Sequence, residues 1–155
     1  MIETKGNLFD DTNLNCIVCT INQIVKNNGE LVMGAGIAKE FRDRYPFLAE
    51  SFGKRTKFKE SGILLANDIV FRQKESGVVI DYVCICGLPT KYDWRDKSDI
   101  DLIVKSCREL LMVANAFGWE KIGMTRPGCG NGGLNWDNVK NKISFLDDRF
   151  IIYVQ

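Results

Sequence analysis

The stretch Thr125–Trp136 reads TRPGCGNGGLNW and places four glycines and one Asn within positions 128–133. It follows the short apolar run Ile122–Met124, which is typical of a buried strand. A glycine-rich turn after a strand lets backbone N–H groups approach a ligand closely, and phosphate is the usual ligand of such turns. The alternative is a flexible loop with no chemical role.

A second segment of small residues, Met33–Ala38 (MGAGIA), follows the apolar run Cys16–Ile21 and leads into a predicted helix. The first N–H groups of a helix are free and carry partial positive charge, so they favour an anion. Neither segment has the GKS or GKT ending of a P-loop or the GxGxxG spacing of a dinucleotide site. Together the two loops can enclose a diphosphate. Taken alone, each is more often a structural connection between a strand and a helix than a phosphate-binding loop.

Composition predicts one domain over residues 1–155. The chain is 45% hydrophobic, and no Pro- or Ser-rich linker or charge block divides it. It carries 21 basic and 20 acidic residues, a net charge of +1, which gives no broad electrostatic case for gripping a nucleic-acid backbone. A small or local ligand fits this balance better.

The first residues, MIETKGNLFDD, contain no apolar signal segment. No run approaches the roughly 20 apolar residues that a membrane span requires. We therefore expect a cytoplasmic protein that has no membrane partner. We also expect a monomer.

The cysteine and histidine content limits the chemistry. The pairs Cys16–Cys19 and Cys84–Cys86 have the outline of a zinc site, but both lie in apolar runs without glycine knuckles, and the chain has no His. We expect buried thiols, no metal and no cofactor. Without His, catalysis must use Lys, Asp or Glu, Cys, Tyr, Asn or groups of the substrate itself.

Short apolar runs alternate with amphipathic segments along the chain. The runs predict strands over Asn15–Ile21, Gly62–Ala66, Ile69–Arg72, Val78–Cys86, Lys121–Thr125 and Phe150–Val154. Helices are predicted from Gly36 to Tyr45, from Pro46 to about Lys59, from the N-cap Ser98 to Gly118, and after Asn135. This order indicates an α/β domain with a partly parallel sheet between helical layers. Ligands of such domains lie beyond the carboxyl ends of the strands.

Taken in order, the motifs GNLF, VCTIN, MGAGIAKEF, LPTK, RPGCGNGGLNW and VKNKI cover nearly the whole chain. The chain resembles a macrodomain, and within that superfamily the branch of the terminal ADP-ribose protein glycohydrolase and the DNA ADP-ribosyl glycohydrolase antitoxins. The resemblance implies a three-layer α/β/α fold with a central mixed sheet. It also implies that ADP-ribose, or ADP-ribose on DNA or protein, binds across the carboxyl edge of that sheet.

The resemblance also assigns ligand-binding residues. Asn7 takes the place of an Asp that usually accepts from the adenine amino group, so this bond would lack charge. Asn22 matches an Asn that contacts the distal ribose, although a turn-forming Asn is the alternative. The complete predicted set is Asn7, Leu8, Asn22, Met33, Gly34, Ala35, Gly36, Ile37, Ala38, Pro127, Gly128, Cys129, Gly130, Asn131 and Gly132.

Lys91, in GLPTK, matches the catalytic Lys of the hydrolase branch, where it follows a long central strand and a Thr. The alternative for any Lys is a solvated surface charge. A Lys amine can attack the anomeric carbon of a ring-opened or oxocarbenium-like distal ribose. The resemblance therefore implies a metal-independent, Lys-dependent ADP-ribosyl glycohydrolase.

One departure from the pattern of the protein-linked branch leaves other functions open. The protein-linked branch has an acidic residue at the position of Gly132, and the DNA-linked branch tends to have Gly there. Without that carboxylate, a non-catalytic ADP-ribose reader or a phosphatase acting on a distal-ribose phosphate are alternatives. Cys129 lies between two glycines, and a Cys in such a position more often fills space in the loop than acts as a nucleophile. Trp94, with Tyr92 and Arg95, either stacks on a base or ribose or simply packs its loop.

Overall fold

The computed structural model describes residues 1–58 and 62–155. In chain order the elements are β1 (Ile2–Lys5), a 3-10 turn (Leu8–Asp10), β2 (Cys16–Ile21), α1 (Gly36–Arg44), α2 (Leu48–Lys57), β3 (Leu64–Lys74), β4 (Gly77–Pro89), α3 (Ile100–Phe117), β5 (Ile122–Met124), α4 (Trp136–Lys142) and β6 (Phe150–Val154).

One mixed six-stranded sheet has the order β1-β6-β5-β2-β4-β3. The first five strands in this order run parallel, and β3 pairs antiparallel with β4. The carboxyl ends of β6, β5, β2 and β4 therefore meet at one edge. Strand β1 was not predicted from the sequence, because its four residues are all exposed and show no apolar pattern.

Strand β2 shows how the three layers form. Cys16 and Val18 point into a core shared with α3 and α4, whereas Ile17 and Cys19 point into a core shared with α1 and α2. A strand that is apolar on both faces has to be covered on both sides, as its sequence predicted. The α/β/α fold class is confirmed.

Strand β3 is one continuous strand, so the prediction of two strands, Gly62–Ala66 and Ile69–Arg72, is wrong. Its register runs from Leu64 opposite Gly87 to Lys74 opposite Gly77. The polar residues Asn67 and Asp68 lie between the two predicted strands, and an edge strand accepts polar side chains where one face meets solvent.

Two helix starts differ from prediction. Asp99, not Ser98, caps α3, because the Asp99 side chain accepts from the N–H groups of Asp101 and Leu102. Pro46 lies in a turn before α2, which begins at Leu48. The predicted end of that helix, near Lys59, lies outside the described residues.

No helix in the part of the chain that the structure describes is long and apolar enough to cross a membrane.

Candidate active site

A cleft of about 1040 Å³ opens along the carboxyl edge of the sheet. The loops after β2, β4 and β5 line it, together with the end of β6. Parallel strands that end at one edge leave their loops free to converge, so this is the expected place for a ligand. Its volume is at the upper end of the roughly 300–1,000 Å³ typical of ligand pockets.

Asn22 fixes the loop that follows β2. Its side-chain N–H donates to the carbonyl of Val32 at 2.8 Å, and its side-chain oxygen accepts from the N–H of Ile24 at 2.8 Å. Asn22 lines the cleft but is only 8% exposed. It therefore ties the start of the loop to its end, just before the small residues that enter α1.

Helix α1 presents its N-terminus to the cleft. Its N-cap, Ala35, has no side chain that can accept from the first N–H groups, and the first helical residue is Gly36 with φ +57°. A Cβ on Gly36 would come within 3.1 Å of the side-chain amide of Asn131. The two glycine loops therefore nearly touch, and free N–H groups at this helix end favour an anion between them.

The glycines of the second loop have different physical roles. Gly128 has φ +75°, and a Cβ there would come within 2.6 Å of Ile103, so only glycine fits. The buried Gly132 packs against the side chain of Ser98 and the carbonyl of Gly128. Gly130 is exposed and has open space where a Cβ would point, so this position gives a ligand room to approach the backbone.

Lys91 lies two residues beyond the end of β4, half-buried in the wall of the cleft. Its Nζ donates to the backbone carbonyl of Asp96 at 3.2 Å. The preceding Thr90 is buried and donates its N–H to the carbonyl of Ile21 at 3.0 Å. The amine is thus held beside the cleft by a short loop anchored to the central strands.

Acidic groups are scarce in the cleft. Among the described residues that line it, Glu40 of α1 is the one carboxylate, and sequence reasoning missed it. The sequence did offer a signal for Glu40. This residue lies four residues after Gly36, the predicted first residue of the helix, and residues four apart share one helix face.

Arg126 and Trp136, at the two ends of the second glycine loop, also line the cleft and were not predicted. The Arg126 guanidinium carbon lies 5.4 Å from the Trp136 ring centroid. Both donate to Glu3 of β1, Trp136 at 2.8 Å and Arg126 at 3.4 Å, and Lys140 donates at 2.8 Å. Hydrogen bonds from Lys140, Trp136 and Arg126 lower the pKa of Glu3.

Three predicted residues do not line the cleft. Asn7 caps the 3-10 turn by accepting from the N–H of Phe9 at 3.0 Å, Leu8 is buried in the core, and Pro127 is buried beneath the second loop. The other predicted positions, including Lys91, all line it. Contact of any of them with a ligand stays a prediction.

The cysteines lie in two environments. Cys16, Cys19, Cys84, Cys86 and Cys107 are buried free thiols. Cys129 is half-buried in the cleft wall, and burial raises its pKa, which favours the less nucleophilic thiol form. In the described ranges no group of three or more His, Cys, Asp or Glu side chains is placed to hold a metal ion.

The family model described as Macro domain matches residues 26–143, which is most of the chain and includes the two glycine-containing segments Met33–Ala38 and Gly128–Gly133. The chain belongs to the macrodomain family. A curated relative from Mycobacterium tuberculosis, named DNA ADP-ribosyl glycohydrolase, is 30% identical over 112 residues. That match covers 72% of this macrodomain but only 30% of the relative, so the chain spans about a third of the relative's length.

Solved structures agree with the assignment. The macrodomain of Mycobacterium tuberculosis DarG superposes with a TM-score of 0.77 at 25% identity, covering 99% of this chain and 97% of that one. Thermosipho africanus DarTG in complex with ADP-ribose also gives a TM-score of 0.77, at 22% identity, covering 99% of this macrodomain and 41% of that chain.

Proposed function

We propose that this macrodomain binds ADP-ribose in the cleft and acts as an ADP-ribosyl glycohydrolase that releases ADP-ribose from modified DNA, with Lys91 as the catalytic amine. The observation that carries the proposal is the position of Lys91. Lys91 lies in the wall of the same cleft in which Gly36 and Asn131 bring the two glycine loops together.

The diphosphate would lie between the N-terminus of α1 and the loop containing Gly130. Free N–H groups and the positive helix end stabilise phosphate without a metal ion. With the diphosphate fixed there, the distal ribose extends along the cleft wall toward Lys91. The relative's name, DNA ADP-ribosyl glycohydrolase, supports both this ligand and a DNA acceptor.

In the chemical step, the nitrogen lone pair of Lys91 Nζ forms a bond to the anomeric carbon of the distal ribose. The bond from that carbon to the acceptor breaks, the acceptor keeps the electron pair, and it takes up the proton that the newly bonded Lys91 nitrogen gives up. Water then displaces the amine, which releases ADP-ribose and restores Lys91. The Asp96 carbonyl accepts one N–H of the amine and so limits its orientation.

A reader that binds ADP-ribose without turnover is the second candidate. It is favoured by the absence of a carboxylate in the second glycine loop, where Gly132 is packed too tightly for a side chain. Glu40, the one acidic side chain among the described cleft-lining residues, lies in helix α1 and not in that loop.

The test compares wild type, Lys91→Ala and Lys91→Arg on three substrates: ADP-ribosylated oligonucleotide, protein ADP-ribosylated on Asp or Glu, and ADP-ribose phosphorylated at the distal ribose. We expect release from the oligonucleotide, slowed about 10³-fold or more by either substitution, with little change in ADP-ribose affinity. Arginine should not rescue, because a guanidinium does not deprotonate.

Lys97→Ala is the matched control, because Lys97 is exposed in the same loop but does not line the cleft. It should keep the wild-type rate. A wild type that binds ADP-ribose tightly but is inactive on all three substrates would be a reader. Near-normal turnover by Lys91→Ala would remove Lys91 from the chemistry.

A further inference from the structure

Trp94 is an exposed aromatic side chain in the wall of the cleft, three residues after Lys91. It leaves 51% of its surface in solvent. Tyr92, in the same loop, is 57% exposed but does not line the cleft. Because water contact with an indole is unfavourable, an indole held at the rim of a cleft is suited to covering a ligand.

Two neighbouring side chains of the loop lie beside this indole. The Arg95 guanidinium carbon lies 5.3 Å from the Trp94 ring centroid. Asp93 in turn accepts two hydrogen bonds from Arg95, each 2.9 Å long, which lower the pKa of Asp93 and raise that of Arg95. Because the Asp93 carboxylate binds the Arg95 guanidinium, the guanidinium stays close to the Trp94 ring and limits the rotamers that this ring can adopt.

The ends of the loop are also anchored. The N–H of Asp99 donates to the Thr90 carbonyl at 2.8 Å, and the N–H of Ser98 donates to the Gly132 carbonyl at 2.9 Å. The N–H of Gln23 donates to the Tyr92 carbonyl at 3.1 Å. Trp94 therefore belongs to a loop that is hydrogen-bonded to the end of β4, to the loop after β2 and to the second glycine loop. Such anchoring reduces the conformational entropy that is lost when a ligand orders the loop.

We infer that Trp94 forms the acceptor subsite, where it stacks on a nucleobase of the single DNA strand that carries the ADP-ribose. The inference rests on the proposed function, which places the diphosphate at the glycine loops and the scissile bond at Lys91. The acceptor then lies beyond Lys91, and Trp94 is the cleft-lining aromatic side chain of the loop that carries Lys91.

The chemistry selects a base rather than a protein side chain. Every nucleobase has a flat π face for an indole, whereas an Asp or Glu acceptor has no ring to stack. A base linked to ADP-ribose also has to leave a duplex before its anomeric bond can enter a cleft, so the single-stranded form is the one that fits. The near-zero net charge makes local stacking, rather than backbone attraction, the main source of acceptor affinity.

The experiment measures binding and turnover of a single-stranded oligonucleotide ADP-ribosylated on one base. Binding is measured in the Lys91→Ala protein, so that the probe survives, with and without Trp94→Ala. We expect Trp94→Ala to weaken oligonucleotide binding about 10- to 100-fold and to change the Kd of free ADP-ribose less than twofold. In proteins with Lys91 intact, it should raise KM much more than it lowers kcat.

Two matched variants complete the design. Trp94→Phe should retain most of the affinity because it keeps a stacking face, and Tyr92→Ala should behave as wild type. Equal oligonucleotide affinities with and without Trp94 would overturn the inference, as would an equal loss for free ADP-ribose. Wild-type inactivity on the oligonucleotide would refute the proposed function, while the binding comparison would still decide the role of Trp94.

Discussion

The backbone N–H of Ser98 donates to the carbonyl oxygen of Gly132 at 2.9 Å, which joins the segment after Lys91 to the second glycine loop. The Ser98 side chain occupies the space where a Cβ on Gly132 would lie, and that Cβ would also come within 2.5 Å of the Gly128 carbonyl oxygen. Position 132 thus excludes the acidic side chain of the protein-linked branch for steric reasons.

Gly132→Ala should destabilise the fold, because the backbone carbonyl of Gly128 cannot move aside without breaking the loop. We expect a loss of about 1–3 kcal/mol in the free energy of unfolding, measured by urea denaturation. Gly130→Ala, which places its methyl in open space, is the control and should stay within about 0.5 kcal/mol of wild type. Equal stabilities for the two variants would contradict the packing at Gly132.

Gly130→Glu should abolish ADP-ribose binding while leaving the fold intact. The carboxylate would project from an exposed loop position into the space proposed for the diphosphate. Calorimetry should show roughly micromolar affinity for wild type, about −8 kcal/mol, and no heat for the variant. Gln73→Glu, which adds the same charge far from the cleft, should bind normally. No binding by wild type at millimolar ADP-ribose would refute the proposed ligand.

Cys129 should be the first thiol to react with a disulfide reagent in the folded protein. The other five cysteines are buried, whereas Cys129 is half-buried and lines the cleft. Its raised pKa should keep the reaction slow at pH 8, and ADP-ribose should slow it further. Cys129→Ser should remove the early phase. Unchanged labelling in the presence of saturating ADP-ribose would place the ligand away from this loop.

Glu3→Gln should lower the melting temperature in a pH-dependent way. Hydrogen bonds from Lys140 and Trp136 lower the pKa of Glu3 below its ordinary value of 4.5. A carboxyl group with a lowered folded-state pKa adds stability above its unfolded pKa and loses it as pH falls through the folded pKa. The difference from wild type should therefore be full above pH 4.5 and disappear at lower pH.

The control for that series is Glu75→Gln in the exposed β3–β4 turn, which should show no such pH dependence. Measurements at low ionic strength avoid screening of the exposed Glu3 interactions. A Glu3→Gln difference that persists unchanged in acid would show that Glu3 does not act through its charge.

Asn7→Asp tests the adenine contact that the resemblance implies. Asp caps a helical turn as well as Asn does, so the bond to the Phe9 N–H should be kept and the fold unchanged. If the second lone pair of the side-chain oxygen accepts from adenine, the added charge should tighten ADP-ribose binding by about 1 kcal/mol in calorimetry. An unchanged affinity would place Asn7 outside the adenine site, in keeping with its position away from the cleft wall.

The sequence by itself determined the layers, the order of most strands and helices, and the two loops of the cleft. Ile17 and Val18 alternate between two cores, so their apolar character already required cover on both faces. The small residues around Gly36 and Gly130 follow strands, and strands in a parallel sheet end together. These features are local patterns repeated along the chain, and local patterns can be read without coordinates.

Only the tertiary structure decided the features that join distant residues. Ser98 and Asp99 are equally good N-cap residues by type, and Asp99 is the one that caps α3. The backbone positions of the two residues are set by hydrogen bonds to distant carbonyls, from the Ser98 N–H to Gly132 and from the Asp99 N–H to Thr90. Glu3 meets Trp136 across 133 positions of sequence, and no periodicity reports such a contact. The physical reason is that residue patterns record which face of an element is buried, whereas the partner that buries it is fixed only when the whole sheet is assembled.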